Sequence, residues 1–231
     1  GKTYDAEHPY DNRDYRFYAN ILYDGCTYRN HVMDIHYTDN KAGVDLTPYG
    51  SAYSAGVSKT GYYMGKFVDK SQTIDNNDTY GSKQNFIIWR YAEALLDYAE
   101  VCYNLGNTTL AKEYLNKTRQ RVHMPDIDNV TMESIMNERR VEMAFEETTY
   151  WDLLRWGIAE EKMNGASNPL KAMRIDVTTK GDVTTTKYTI SNLNKSPEKV
   201  RYFTKRQYYL PLPWSEIKYH GIAQNPDWTE Q

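Results

Sequence analysis

Residues 85–107, NFIIWRYAEALLDYAEVCYNLGN, decide how this chain is built. Ile88, Tyr91 with Ala92, Leu95, Tyr98 with Ala99, Cys102 and Leu105 recur every three or four positions, the period of an amphipathic α-helix. Arg90, Glu93, Asp97, Glu100 and Asn104 form the complementary polar stripe. Gly106-Asn107 supplies the stop, and Thr108 or Thr109 stands where a cap begins a second helix carrying Leu110, Ala111, Tyr114, Leu115 and Thr118. On these faces Tyr91, Tyr98 and Tyr114 read as core.

Outward from this pair, Pro125 breaks the chain, and a third helix is expected from near Thr131, with Met132, Ile135, Met136, Val141, Met143 and Phe145 on its apolar sides. Trp151 to Trp156 continues as a short amphipathic segment ended by Gly157. Between Met173 and Ile190 the apolar residues sit among threonines around a Lys180-Gly181-Asp182 turn, which predicts a β-hairpin. The two prolines in Tyr208 to Pro213 exclude a central strand; a short helix follows Trp214-Ser215, then an Asn225-Pro226 turn. Before residue 85 the chain is rich in Tyr, Gly, Asp, Asn and Ser, with strands expected at Phe17–Tyr23 and Tyr62–Val68 and a long loop from about Tyr37 to Thr60.

The chain therefore reads as mainly α: a tetratricopeptide-like helical hairpin with further helices, long irregular loops and a small antiparallel β-hairpin. Ala99, Gly106 and Ala111 occupy helix-crossing positions of such a hairpin, whose repeat is roughly 34 residues. An ordinary αα-hairpin satisfies the same pattern, because a solenoid repeat needs neighbours on both sides. Residues 1–84 are expected to be a loop-rich segment with short strands and a candidate ligand loop. Residues 85–231 are expected to be a helical region with the β-hairpin near 173–190, the whole as one compact unit.

Composition removes several functions. A mean hydropathy of -0.81 leaves no apolar run near the ~18 residues a membrane helix needs. With 28 Lys and Arg against 31 Asp and Glu, the formal charge of -3 lacks the basic excess of a general nucleic-acid binder. Two cysteines, Cys26 and Cys102, match no zinc pattern, and His8, His31, His36, His123 and His220 are scattered without helical zinc spacing, so no metal and no cofactor are expected. No phosphate loop or nucleophile elbow appears. The aromatics are mostly amphipathic, 22 Tyr against 5 Phe, which suits contact surfaces as well as loop packing.

The densest charge run, Glu138, Arg139, Arg140, Glu142, Glu146 and Glu147, reads as ion pairing, with Glu93, Asp97 or Glu100 accepting from Arg139 or Arg140. A glycoside hydrolase would instead need two carboxylates facing a cleft, about 5 to 10 Å apart.

Five motifs then converge. Arg90-Tyr91-Ala92-Glu93, Asn137-Glu138-Arg139-Arg140-Val141-Glu142-Met143-Ala144-Phe145-Glu146 and Trp151-Asp152-Leu153-Leu154-Arg155-Trp156-Gly157 resemble the C-terminal portion of the SusD/RagB family. Asn12-Arg13-Asp14-Tyr15-Arg16-Phe17 is similar to a segment of that family, and Tyr209-Leu210-Pro211-Leu212-Pro213 with Gln224-Asn225-Pro226 to its closing signature. In that signature Asp227-Trp228 follows Pro226, where the family has glycine and an aromatic. The resemblance implies an outer-membrane lipoprotein of the cell surface, anchored by lipid in the full-length protein. Such a protein binds oligosaccharide or polysaccharide without cleaving it and delivers it to a SusC-type TonB-dependent transporter. The other reading is a protein-interaction module of the same uptake complex, bound to a polypeptide. The sequence resembles that C-terminal portion alone, so the family's lipid-bearing N-terminal cysteine is carried over to neither Cys26 nor Cys102.

Sugar rings stack their C–H faces on aromatic rings and offer hydroxyls to polar groups at the rim. Tyr37, Tyr49 and Tyr53 meet the first need, and Asp39, Asn40, Asp45 and Ser51 the second. Trp89, Trp151, Trp156 and Trp214 lie in or beside structural motifs and are left to packing.

Overall fold

Asp14 opens the first helix of the computed structural model, which describes residues 4–47, 57–68, 85–193 and 200–228. Its carboxylate accepts the Arg16 backbone N–H at 2.8 Å and starts α1 (Tyr15–Asn20). Most of the strand expected over Phe17–Tyr23 is therefore helical. Only Ile21–Leu22 (β1) is extended, pairing antiparallel with Tyr63–Met64 (β6), the two residues of Tyr62–Val68 that form a strand. The alternating apolar residues fitted either state, and the capping carboxylate selects the helix.

The chain divides into two compact units, Gly1–Glu146 with Ala172–Ser191, and Glu147–Lys171 with Asn192–Gln231. In the first, Thr27–Tyr28 (β2) and His31–Val32 (β3) form a small hairpin. Tyr37–Thr38 (β4) and Lys41–Ala42 (β5) form another, where a continuous loop was expected. Asp39 and Asn40 both adopt positive φ, 50° and 66°, which a tight hairpin turn requires and Asp and Asn tolerate. Leu22, Met33 and Ile35 form a small core here, with Tyr28, Leu46 and Tyr63 against it.

The larger core belongs to three helices, α2 (Tyr91–Asn104), α3 (Thr108–Arg121) and α4 (Met132–Glu142), where Leu96, Ala99, Leu115, Ile135 and Met143 are essentially solvent-free. Gly106 turns the chain at φ 79°, and Asn107, ahead of the two threonines expected to do so, caps α3 by accepting the Leu110 N–H at 3.1 Å. Thr131 and Ser134 cap α4 reciprocally. That helix stops before Phe145, which has φ 68° and is exposed, not core. Tyr114 packs on this core, but Tyr91, Tyr98 and Leu105 are exposed. The apolar stripe of α2 is wider than the side that α3 and α4 cover. Trp89, Trp151 and Trp214 are exposed as well.

The predicted hairpin is β7 (Lys171–Lys180) and β8 (Val183–Asn192), turned at Gly181, and β4 joins β7 in parallel, giving the order β5-β4-β7-β8. Gly61, at φ 79°, lies against the Met173 carbonyl while Met173 N–H donates to Thr60 at 2.9 Å.

The second unit carries α5 (Thr148–Arg155), α6 (Ala159–Met163), a 3-10 turn at Lys205–Tyr208 and α7 (Trp214–His220), around buried Ala159, Phe203 and Ile217. Its closing segment shows why proline and amide side chains recur together. The Gln224 side chain accepts from Leu212 N–H at 2.7 Å and donates to Leu212 C=O at 3.1 Å, and Asn225 donates to Leu210 C=O. Amide side chains thus supply the partners that a proline-interrupted strand cannot find in a sheet.

Candidate functional site

α4 places Glu138 and Glu142 one turn apart, each with only 1% of its side chain exposed. Two carboxylates so buried demand partners. Arg16 of α1 lies between them, its Nη1 donating to Glu138 at 2.6 Å and Glu142 at 2.9 Å, while Asp14 holds its other edge. Arg119 donates to Glu138 at 2.7 Å, and Arg90 to Glu142 at 2.6 Å and to Glu146 at 2.7 Å. Lys66 caps Glu146 and the Ala144 carbonyl, and Arg121 reaches Glu142 from the surface. Arg139 pairs with Glu93 at 3.2 Å and with Asp97, as the charge run predicts.

Burial alone would raise the Glu142 carboxyl, but hydrogen bonds from Arg90 and Arg16 and the charge of Arg121 outweigh it and hold the group below its usual range. At Glu146, burial is likewise outweighed, by Arg90 and Lys66. A glycosidase proton donor needs the opposite shift. These acids anchor cations; they are not poised to give up protons.

On the surface side of this network opens a cavity of about 430 Å³, bordered by Tyr15, Asn20, Lys66, Arg121, His123 and Glu142. Tyr15 begins α1, and Arg121 ends α3. His123 follows in left-handed conformation, φ 56°, the position that glycine usually fills after a helix. The Tyr15 and His123 rings meet edge-on, centroids 6.1 Å apart.

The expected sugar contacts are placed as follows. Tyr37, on β4, is half-buried with the Arg174 guanidinium 3.9 Å over its ring. Asp39 and Asn40 are exposed at the β4–β5 turn. Asp45 turns inward, where its carboxylate accepts from His31 Nε2 at 2.8 Å and Asp34 N–H at 2.6 Å and its carbonyl accepts from the Tyr63 hydroxyl. Tyr49, Ser51 and Tyr53 lie outside the described residues. The cavity was not read from sequence, because Tyr15 lies more than a hundred positions from Arg121 and His123; the positively charged end of α3 was a local signal for it.

Among the described residues, Asp24, Asp34 and His36 bring one ligand atom each within 4.8 Å of one another, a donor set chemically suited to a divalent cation. Within it His36 Nδ1 lies 2.8 Å from Asp24 and 3.4 Å from Asp34, and the carboxylates accept the N–H groups of Ile35 and Val44, while Asp34 Oδ1 is buried without a hydrogen-bond partner among the described residues.

Comparison with known proteins places this geometry. The SusD family model matches residues 1–228. A SusD-like protein of Bacteroides ovatus is 26% identical over 177 residues, 66% of this chain and 32% of that one. A crystal structure of a SusD-like protein from Bacteroides fragilis NCTC 9343 matches with a TM-score of 0.70 at 28% identity, over 95% of this chain and 40% of its own. A SusD-like carbohydrate-binding protein of the same strain matches with a TM-score of 0.57 at 28% identity, over 75% of this chain and 34% of its own. The chain thus spans about a third of the curated relative it matches.

Proposed function

Because this chain belongs to the SusD family, we propose that it forms part of a non-catalytic glycan-capture protein of the cell surface. The observation that carries the reading is the family match over residues 1–228, supported by likeness to a solved SusD-like carbohydrate-binding protein. In this reading the full-length protein is held on the outer membrane by lipid and passes oligosaccharide or polysaccharide to a SusC-type TonB-dependent transporter. The β4–β5 turn, with Tyr37 as platform and Asp39 and Asn40 as rim, contributes to the sugar contact together with Tyr49 and Tyr53, while Asp45, expected at the rim, instead braces the segment through His31 and Asp34. No bond is broken, in keeping with acids whose protons are held off by arginines.

A second reading, a polypeptide-binding module, draws on the exposed face of α2, where Tyr91, Tyr98, Val101 and Leu105 follow a spacing suited to a partner helix. A glycan array probed with the folded chain separates the two. Binding to a defined glycan, with no new reducing ends released, supports capture. Silence across the array by a chain with a cooperative melt rejects it.

A further inference from the structure

At the mouth of the 430 Å³ cavity stands a cation that the buried network leaves half-used. Arg121, with 55% of its side chain exposed, contacts Glu142 through Nη2 alone, at 2.8 Å to each oxygen. Its Nε and Nη1 have no hydrogen-bond partner among the described residues. Glu142, the only carboxylate lining the cavity among those residues, is already saturated by Arg16, Arg90 and Arg121. Across the network Arg16, Lys66, Arg90, Arg119 and Arg121 face Asp14, Glu138, Glu142 and Glu146, leaving one cation in excess within a chain whose net charge is -3.

The surroundings of that guanidinium fit a ring-shaped ligand. Tyr15, on the same cavity wall, is 59% exposed, and the His123 ring meets it edge-on from a left-handed position just past α3. The cavity lies within the ~300–1,000 Å³ range of small-ligand sites. Because Glu142 fixes one nitrogen, the free edge of the guanidinium is pre-oriented, which favours a planar or tetrahedral anion over water.

We infer that this cavity is a subsite for an anionic sugar residue, a pyranose whose carboxylate or sulfate ester docks on the free edge of Arg121 while its ring lies against Tyr15 and His123. The inference rests on the glycan-capture reading and narrows it to acidic glycans.

Calorimetry at low salt with three probes tests it: trigalacturonate, its carboxyl-reduced neutral counterpart, and a sulfated galactotriose. The expected result is at least one anionic probe binding about tenfold more tightly than the neutral one, the difference between the two identifying carboxylate or sulfate as the group taken. Arg121→Gln should bring that probe down to the neutral affinity. Tyr15→Ala, at an exposed position, should leave melting unchanged and weaken the anionic probe as well. Equal affinity for all three, or a preference that survives Arg121→Gln, overturns the subsite. No binding of any probe, alongside a neutral ligand found on a glycan array, overturns the subsite and spares the capture reading; no glycan ligand at all rejects both.

Discussion

Arg16 and Glu138 are separated by 122 positions in the chain and by 2.6 Å in space, with 6% and 1% of their side chains exposed. The contact ties the first helix to the third helix of the main core. Removing the cation leaves Glu138 with Arg119 and Glu142 with Arg90 and Arg121, each acid short of one partner inside the protein. Arg16→Ala should therefore lower stability by about 3–5 kcal/mol, read from urea unfolding at neutral pH. A loss below about 1 kcal/mol would show that the remaining arginines neutralise the acids unaided.

Acid should weaken the same network. Folded Glu142 and Glu146 sit below the ordinary glutamate value of 4.5. Groups depressed in the folded state contribute stability that is complete above their unfolded value and is lost as pH falls through the folded one. The melting temperature should thus hold as pH falls from 7 towards 5, then drop steadily below about 4.5, as unfolding takes up protons. Glu146→Gln should flatten that slope while lowering the plateau. A melting temperature constant down to pH 3 would contradict the assignment.

Arg139 separates frame from binding. It joins α4 to Glu93 and Asp97 of α2, away from the cavity and from the β4–β5 turn. Arg139→Ala should lower stability by about 1–3 kcal/mol and leave glycan affinity unchanged. Lost binding with an unchanged melt would reverse the assignment.

What could be read from sequence follows the range of the interactions. The helices at 85–142 were legible because their period is local, and the pairing of Arg139 with Glu93 and Asp97 followed from two such faces. Arg16 was not legible as the partner of Glu138, since nothing in the neighbourhood of either names a residue 122 positions away. α1 was misread because Phe17, Ala19 and Ile21 alternate as a strand would, and the Asp14 cap outweighs that pattern. Tyr91 and Tyr98 were misread because a helical stripe reports hydrophobicity without reporting how much of it a neighbour covers. Asp39 and Asn40 were legible as polar rim groups, but that their hairpin joins β7, more than a hundred positions away, was not.

Gly61 tests how that hairpin is attached. A Cβ built there would lie 2.2 Å from the Met173 carbonyl oxygen, and the residue holds φ 79°, so a side chain meets both a backbone clash and a disfavoured conformation. Gly61→Ala should cost about 2 kcal/mol or more and raise hydrogen exchange at Met173 N–H, which donates to Thr60. Unchanged exchange at Met173 would show that the segment shifts without releasing the hairpin.

Tyr37 carries the proposed sugar contact on the same sheet, paired with Asp176 of β7. Its ring packs under Arg174, which Asp176 in turn holds at 2.7 Å, so the platform is braced before any ligand arrives. A braced aromatic loses little conformational freedom on stacking, and deleting it removes contact area that no neighbour can replace. Tyr37→Ala should weaken affinity for the array-identified glycan about tenfold, with Tyr37→Phe close to wild type if stacking dominates over the hydroxyl. Calorimetry on the three proteins checks this, with circular dichroism confirming the fold. Affinity unaltered in Tyr37→Ala would leave the ring as a support for Arg174 alone and move the sugar contact elsewhere on the chain.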